Sequence, residues 1–275
     1  MTSAALLPWP AEAISQAAQA WVPGLRVEVV GEIDSTNSEL MRRAHAGHCE
    51  PVLLVAQSQT AGRGRLGRSW HSEAGASLTF SIGLTLAAAD WSGLSLAVGV
   101  SVALSLHADI RLKWPNDLWV KDHKLGGILI ETTALSEAAQ AAYAAQHPYA
   151  SNPAQARYVV VGVGINIALP AATDLATPAQ ALRGLMPAID APVALQRIAL
   201  PLLQNLQRFE RAGFAPFAST FAARDALAGR DVQLSDGRTG VAGGIDESGG
   251  LRVLMPEGWV SVRSAEVSVR PALPL

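Results

Sequence analysis

Three arginines and three glycines interleave through residues 62–70, Gly-Arg-Gly-Arg-Leu-Gly-Arg-Ser-Trp. Glycine lets backbone come close to a ligand, and guanidinium forks match the planar oxygens of carboxylates and phosphates. Arg63, Arg65 and Arg68 set among Gly62, Gly64 and Gly67 therefore have the chemistry of a lid over an anion. The glycines also spell G-x-G-x-x-G, but a dinucleotide-binding turn needs a helix opening at its second or third glycine. The chain instead continues through a turn-rich stretch at 69–75 into Leu78, Phe80, Ile82 and Leu84 at strand period. Taken alone, such a run is more readily a solvated basic hairpin tip than a site. A formal charge of −2 over 275 residues makes the cluster a local feature and argues against general nucleic-acid binding.

Lysine usage adds a second signal. Of 21 basic residues only Lys113, Lys121 and Lys124 are lysines, and lysine supplies a compact point charge where a planar fork does not serve. Lys113 opens Lys-Trp-Pro-Asn-Asp (113–117), where Pro115 holds Trp114 extended and Asn116-Asp117 favours a turn. Lys124 opens Lys-Leu-Gly-Gly-Ile-Leu-Ile-Glu (124–131), the second strand of a hairpin closed by 121–124, and Lys121 reads as a solubilising turn residue. Gly126-Gly127 within that strand marks either a bulge or the close approach of a ligand or backbone. In 158–167, strand period puts Gly162, Gly164 and Asn166 on one face and Val161, Val163 and Ile165 on the other, a flat floor ending in an amide. At 34–39, Thr36 and Glu39 have capping-box spacing. Ser35, Thr36 and Asn37 set small polar side chains beside free N–H groups at a helix start, suited to a polar ligand group.

These stretches need rigid elements behind them. Residues 1–26 read as a helical arm (Ile14, Ala17, Ala18, Trp21) ending at Pro23-Gly24. A strand at 26–31, a helix from 36 to Gly47 and a buried strand at 52–56 come next. Strand 77–86 leaves the arginine loop and helix 91–107 packs behind it, which predicts an α/β (α+β) domain over 1–227 whose sheet carries the loop on one face. Residues 132–157, alanine-rich with His147-Pro148 and Asn152-Pro153, read as a partly helical or disordered surface insertion. Helices at 193–211, kinked at Pro201, and 215–227 precede a change at Gly229. From there turn signals at 236–237, 248–250 and 256–258 predict a small SH3-like β-barrel over 228–275. One cysteine, Cys49, excludes an internal disulfide or cysteine zinc site and fits a reducing cytoplasm. The start carries no basic n-region, and the apolar run at 94–106 is too short and interrupted for a membrane span.

Together, 62–70, 113–117, 124–131 and Gly-Val-Gly-Ile-Asn (162–166), in that order, closely resemble the biotin protein ligases. The likeness extends over residues 27–270 and takes in Asp-Ser-Thr-Asn at 34–37 and the small β domain after 229. The resemblance implies a mixed sheet backed by helices with a C-terminal SH3-like barrel, and a two-step reaction: biotin and ATP give biotinyl-5′-AMP and pyrophosphate, with Mg²⁺, and a lysine of a biotin carboxyl carrier protein then attacks the adenylate. It implies Lys124, Arg63, Arg65, Arg68 and Lys113 as the catalytic charges. Ser35, Thr36, Asn37, Gln59, Gly62, Arg63, Gly64, Arg65, Trp70, Lys124, Gly127 and Gly164 are implied around biotin, and Arg65, Arg68, Trp70, Lys113, Asn116 and Asn166 around ATP. Asp117 is a weak candidate for the metal. Fewer than about 30 residues before the first core strand leave no room for the DNA-binding domain of regulatory members. Members of the family are often dimers, so the resemblance allows a homodimer, with no surface assigned in this sequence. Lipoate ligation or octanoyl transfer shares the fold and is the nearest rival; a non-catalytic nucleic-acid module is the second.

Overall fold

The computed structural model describes residues 7–146, 155–171, 177–263 and 269–271. Seven strands form one sheet: β1 (Arg26–Ile33), β2 (Val52–Gln59), β3 (Ser77–Leu86), β4 (Arg111–Lys113), β5 (Asp117–Val120), β6 (His123–Ala134) and β7 (Arg157–Asn166), in the order β1-β2-β3-β7-β6-β5-β4. β1 and β2 are parallel and every other pair is antiparallel, so the sheet is mixed, as expected.

The sheet has two unlike faces because β2, β3 and β7 alternate. Leu53, Val55, Phe80, Ile82, Val161 and Val163 point to one side and pack with helices α3 (Leu94–Leu106) and α5 (Ala191–Ala212) in the main core. Each such side chain contributes roughly 1.5–3 kcal/mol of burial. The other face carries Leu54 and Val160 under helix α2 (Thr36–His45), which buries Leu40 and Ala44 there. Beyond α2 that face is left to Thr79, Ser81, Gly162 and Gly164. A helix covering only part of a sheet leaves a cavity beside its N-terminus.

Several expectations need correction. Helix α1 spans only Ala11–Ala18; Ile14 and Ala18 are buried, but Trp21 lies past the helix end and is 39% exposed. Ser35, not Thr36, caps α2, accepting from Ser38 N, and Glu39 instead pairs with Arg42 and Arg43. The insertion begins after 134, because Thr132, Thr133 and Ala134 still pair with β7. Its helix α4 (Glu137–Gln146) is docked rather than merely superficial: Tyr143 is buried and donates to Glu210 Oε1, which also accepts from Ala87 N. The remainder of that stretch, 147–154, lies outside the described residues. α5 runs through Pro201 as one 22-residue helix, its first turn capped by Asp190. The expected 215–227 helix divides into a 3₁₀ turn and the shorter α6 (Ala218–Arg224).

Five antiparallel strands, β8 (Asp231–Leu234), β9 (Thr239–Ile245), β10 (Leu251–Met255), β11 (Gly258–Val262) and β12 (Val269–Pro271), make the C-terminal sheet, as the turn signals predicted. It is keyed to the larger sheet by Trp114, whose buried indole donates to the Gly249 carbonyl at 3.0 Å. The Trp114–Pro115 peptide is cis. Among the described residues no helix is long and apolar enough to cross a membrane.

Candidate active site

Cross-strand rows centred on two glycines make the floor of a cavity of about 350 Å³. Ser81, Gly162 and Leu129 are cross-strand neighbours, and one step along, so are Thr79, Gly164 and Gly127. Glycine is required at these places by what lies above them. A methyl at Gly162 would overlap Asn37 Oδ1, and one at Gly164 would stand 2.5 Å from Trp70 Cε2. The cavity therefore runs along β7, from Asn37 over Gly162, past Trp70 over Gly164, to Asn166 at the strand's end.

At its first end Ser35, Thr36, Asn37 and Gln59 form a fixed polar wall. Thr36 donates through its backbone N–H to Gln59 Oε1 at 2.8 Å, so this amide is not free as expected from sequence. Ser81 Oγ lies 2.7 Å from Thr36 Oγ1 and donates to Asn37 Oδ1 at 2.6 Å. Asn37 Nδ2 donates to Glu131 Oε2 at 3.0 Å and to the Leu129 carbonyl at 3.3 Å. Buried polar groups held this way present one orientation to whatever enters.

At the other end is Lys124, placed there by a bulge. Strict alternation back from Gly127 would send Leu125 into the cavity and Lys124 toward the helices. The β5–β6 register instead shifts between Leu118↔Gly126 and Trp119↔Lys124, leaving Leu125 the extra residue. Leu125 is buried in the main core and Lys124 lines the cavity. Lys124 Nζ sits 2.7 Å from Asp117 Oδ1, and Lys113 Nζ lies 3.7 Å from the other oxygen of the same carboxylate. Lys113, 8% exposed, also lies over the Trp119 ring. Asn166 secures this end, its Nδ2 donating to the carbonyls of Gln180 at 3.0 Å and Lys124 at 3.3 Å.

The arginine loop closes the top. Trp70 N donates to Gly62 O at 2.8 Å and Gly64 N to Arg68 O at 2.7 Å, so residues 64–68 form a tight turn on a hydrogen-bonded neck. Its tip is strained: Leu66 has φ 56° and is 66% exposed. Arg63 pairs with Glu131 at 3.1 Å, Arg65 reaches Asn116 Oδ1 at 3.4 Å, and Arg68 is exposed. Burial pulls the Arg65 guanidinium below its ordinary pKa; nearby Asp117 opposes this and Arg68 adds to it. A desolvated cation of this kind is stabilised by an incoming anion.

The cavity thus gathers Ser35, Thr36, Asn37, Gln59, Arg63, Gly64, Arg65, Arg68, Trp70, Asn116, Lys124, Gly127, Gly164 and Asn166. Gly62, Lys113 and Asp117 are not on its wall; Gly62 lies beneath the loop, where a methyl would meet the Trp70 carbonyl and Gln59 Nε2. Thr79 and Leu129 line it without having been singled out in the sequence. Thr79 and Ser81 carry the same strand-period signal as Gly162 and Gly164, as polar residues alternating with Leu78, Phe80 and Ile82. Among the described residues no group of three His, Cys, Asp or Glu side chains could hold a metal, and the Asp117 carboxylate is already shared by two lysines.

Comparison with known proteins shows the family and the fold. Residues 30–147 match the biotin/lipoate A/B protein ligase family. The bifunctional ligase/repressor BirA of Escherichia coli is 34% identical over 267 residues, covering 88% of this chain and 76% of its own length. The biotin–[acetyl-CoA-carboxylase] ligase of Paracoccus denitrificans is 30% identical, covering 87% and 98%. The biotin protein ligase of Aquifex aeolicus, solved in complex with biotin and ATP, is 27% identical with a TM-score of 0.71, over 90% of this chain and 99% of that one. With likeness spread across nearly the whole chain, this chain belongs to the biotin protein ligases of the biotin/lipoate A/B protein ligase family.

Proposed function

We propose that the protein ligates biotin, at the expense of ATP, to a lysine of a biotin carboxyl carrier domain. The observation that carries this reading is one cavity with a neutral, hydrogen-bonding wall at Ser35, Thr36, Asn37 and Gln59 and a cationic end at Lys124 and Arg65, under the loop that also carries Arg63 and Arg68. That polarity matches an uncharged ureido ring at one end of the substrate and a carboxylate at the other.

In the first step a biotin carboxylate oxygen attacks the α-phosphorus of ATP and pyrophosphate leaves with its bonding pair. Two anions must meet, so fixed cations where charge develops supply the main electrostatic advantage. Lys124 faces the forming carboxylate–phosphate bond from a rigid strand. Arg63, Arg65 and Arg68 close over the phosphates, and Trp70 walls the site between the two ligands. Asn116 and Asn166 lie toward the nucleotide, Asn116 steering Arg65 and Asn166 holding the backbone of Lys124. Lys113 acts from behind, sharing Asp117 with Lys124 and so fixing where its ammonium stands. Mg²⁺ bound with the nucleotide would supply further neutralisation of the phosphate charge. In the second step the carrier's neutral lysine amine attacks the acyl carbon, AMP departs and the amine proton is lost. The loop excludes water until the carrier arrives. The single cysteine, Cys49, supports a reducing cytoplasm as the compartment for this work.

Pyrophosphate release from ATP with biotin, with lipoate, and with both in competition tests the reading. Release driven by biotin and unaffected by excess lipoate is expected; lipoate used in preference would transfer the mechanism to another acid.

A further inference from the structure

Lys113 stands on a strand too short to hold itself. β4 has three residues, lies at the edge of the sheet and has β5 as its one strand partner. The residues on either side of Lys113 are instead fixed by the C-terminal part of the chain. The Leu112 carbonyl accepts from Ala226 N at 3.0 Å, just past α6, and the buried Trp114 indole donates to the Gly249 carbonyl at 3.0 Å. Gly249 is itself held in a tight turn between β9 and β10. Asp246 Oδ1 accepts from Ser248 N at 2.9 Å and Gly250 N at 2.8 Å, its other oxygen accepts from Ser261 Oγ, and Gly249 N donates to the Asp246 carbonyl at 3.0 Å. The turn is seated closely on the larger domain: Gly249 has φ 77°, and a methyl there would stand 2.9 Å from Gly93 Cα at the start of α3.

We propose that Trp114 is a positioning residue through which the 246–250 turn of the C-terminal sheet holds Lys113 and Asn116 in place. Lys113 precedes Trp114 and Asn116 follows it by two residues, and both serve the nucleotide end of the cavity. Asn116 lines that end, and Lys113 shares the Asp117 carboxylate with Lys124. Asn116 is fixed on its other side by β6, donating to the Ile128 carbonyl and accepting from Ile128 N, each at 2.9 Å. The segment 112–116 is thus held from three directions, and two of them, at 226 and at 249, come from outside the larger sheet. Losing one buried hydrogen bond shifts the opening of such a segment by roughly 5- to 30-fold. The neutral wall at the far end of the cavity rests on Gln59, Ser81 and Glu131, none of them in this segment. Loosening Trp114 therefore disturbs one end of the site and spares the other.

The inference rests on the ligase reading for its kinetic consequence, but not for its first measurement. Hydrogen exchange over 111–117 in the ligand-free protein should quicken by roughly 5- to 30-fold in Trp114→Phe, and also in Asp246→Ala, which loosens the turn without touching Trp114. The double variant should exchange no faster than the faster single one. Asp246→Asn keeps an oxygen for the Ser248 and Gly250 amides and should restore slow exchange. Val232→Ala, in the core of the C-terminal sheet and away from the turn, controls for lost stability and should leave exchange over 111–117 unchanged. With the ligase reaction running, Trp114→Phe and Asp246→Ala should raise KM for ATP about fivefold or more and KM for biotin by less than about twofold. Unchanged exchange, equal quickening in Val232→Ala, or an unchanged KM for ATP in the active enzyme overturns the proposal. Quickened exchange in a protein that makes no biotinyl adenylate would uphold the hold on 111–117 and remove the ligase reading.

Discussion

Replacing Gly164 by alanine adds one methyl group, and its neighbours determine what that does. The new carbon would stand 2.5 Å from Trp70 Cε2, 2.7 Å from Cζ2 and 2.9 Å from Nε1. Carbon atoms in contact sit near 3.5–4.0 Å, so the indole must retreat by about 1 Å. Trp70 is on the loop, half-buried, with its indole N–H unpaired, so the ring can move without breaking a hydrogen bond of its own. Overpacking typically costs about 1–3 kcal/mol. Here we expect less than about 1 kcal/mol to appear in stability, because the loop gives way, and the rest to appear in binding. Biotin affinity should fall by roughly 10- to 100-fold. Gly162→Ala is the contrasting case. Its methyl meets Asn37, whose amide is locked by Ser81, Glu131 and the Leu129 carbonyl. Moving that amide breaks buried hydrogen bonds, so the fold should lose about 2–4 kcal/mol. Urea denaturation and calorimetric titration with biotin on the two variants separate the effects. Gly164→Ala binding biotin within about twofold of wild type would refute the reasoning that Trp70 closes down on a glycine floor.

Two further outcomes depend on buried polar groups. Trp114→Phe removes the donor to the Gly249 carbonyl and should cost about 1–2 kcal/mol in urea denaturation; unchanged stability would show that this contact does not hold the C-terminal sheet in place. Asp225 has its carboxyl pushed above the usual range by burial, against the pull of the Leu227 and Ala228 amides, and its Oδ2 has no partner. A raised folded-state pKa means this group favours folding below its unfolded pKa near 3.8, and that contribution is lost as pH rises through the folded value. Asp225→Asn should therefore stabilise the protein at pH 7 by about 1 kcal/mol and flatten the decline above pH 4; equal or lower stability at pH 7 would contradict this.

Much of the site was legible because strand period is a strong local signal. Gly162, Gly164 and Asn166 could be assigned to one face from alternation alone, and the arginine loop from its glycines and the strand after it. What was missed depends on partners distant in sequence. Asp117 read as a turn former or metal ligand, and only the β4–β5–β6 pairing sets it between two lysines. Lys124 faces the cavity by virtue of a bulge, which Gly126-Gly127 hinted at without fixing its phase. Ser35 displaced Thr36 as the cap because Thr36, N–H and hydroxyl both, is engaged by Gln59, 23 residues away. The docking of α4 hangs on Glu210, 67 residues from Tyr143, and nothing in an alanine-rich stretch announces that contact.

The central claim is that the cavity joins biotin to a carrier lysine through an adenylate, with Lys124 the charge that makes this possible. Transfer of labelled biotin to an apo carrier domain with ATP and Mg²⁺, measured for wild type and Lys124→Ala side by side, tests it most directly. The account predicts labelling by wild type and a fall of at least about 100-fold in the variant, the loss expected when one preorganised charge is removed from a transition state. Labelling by the variant at the wild-type rate would contradict the role of Lys124, and no labelling by wild type would contradict the claim itself.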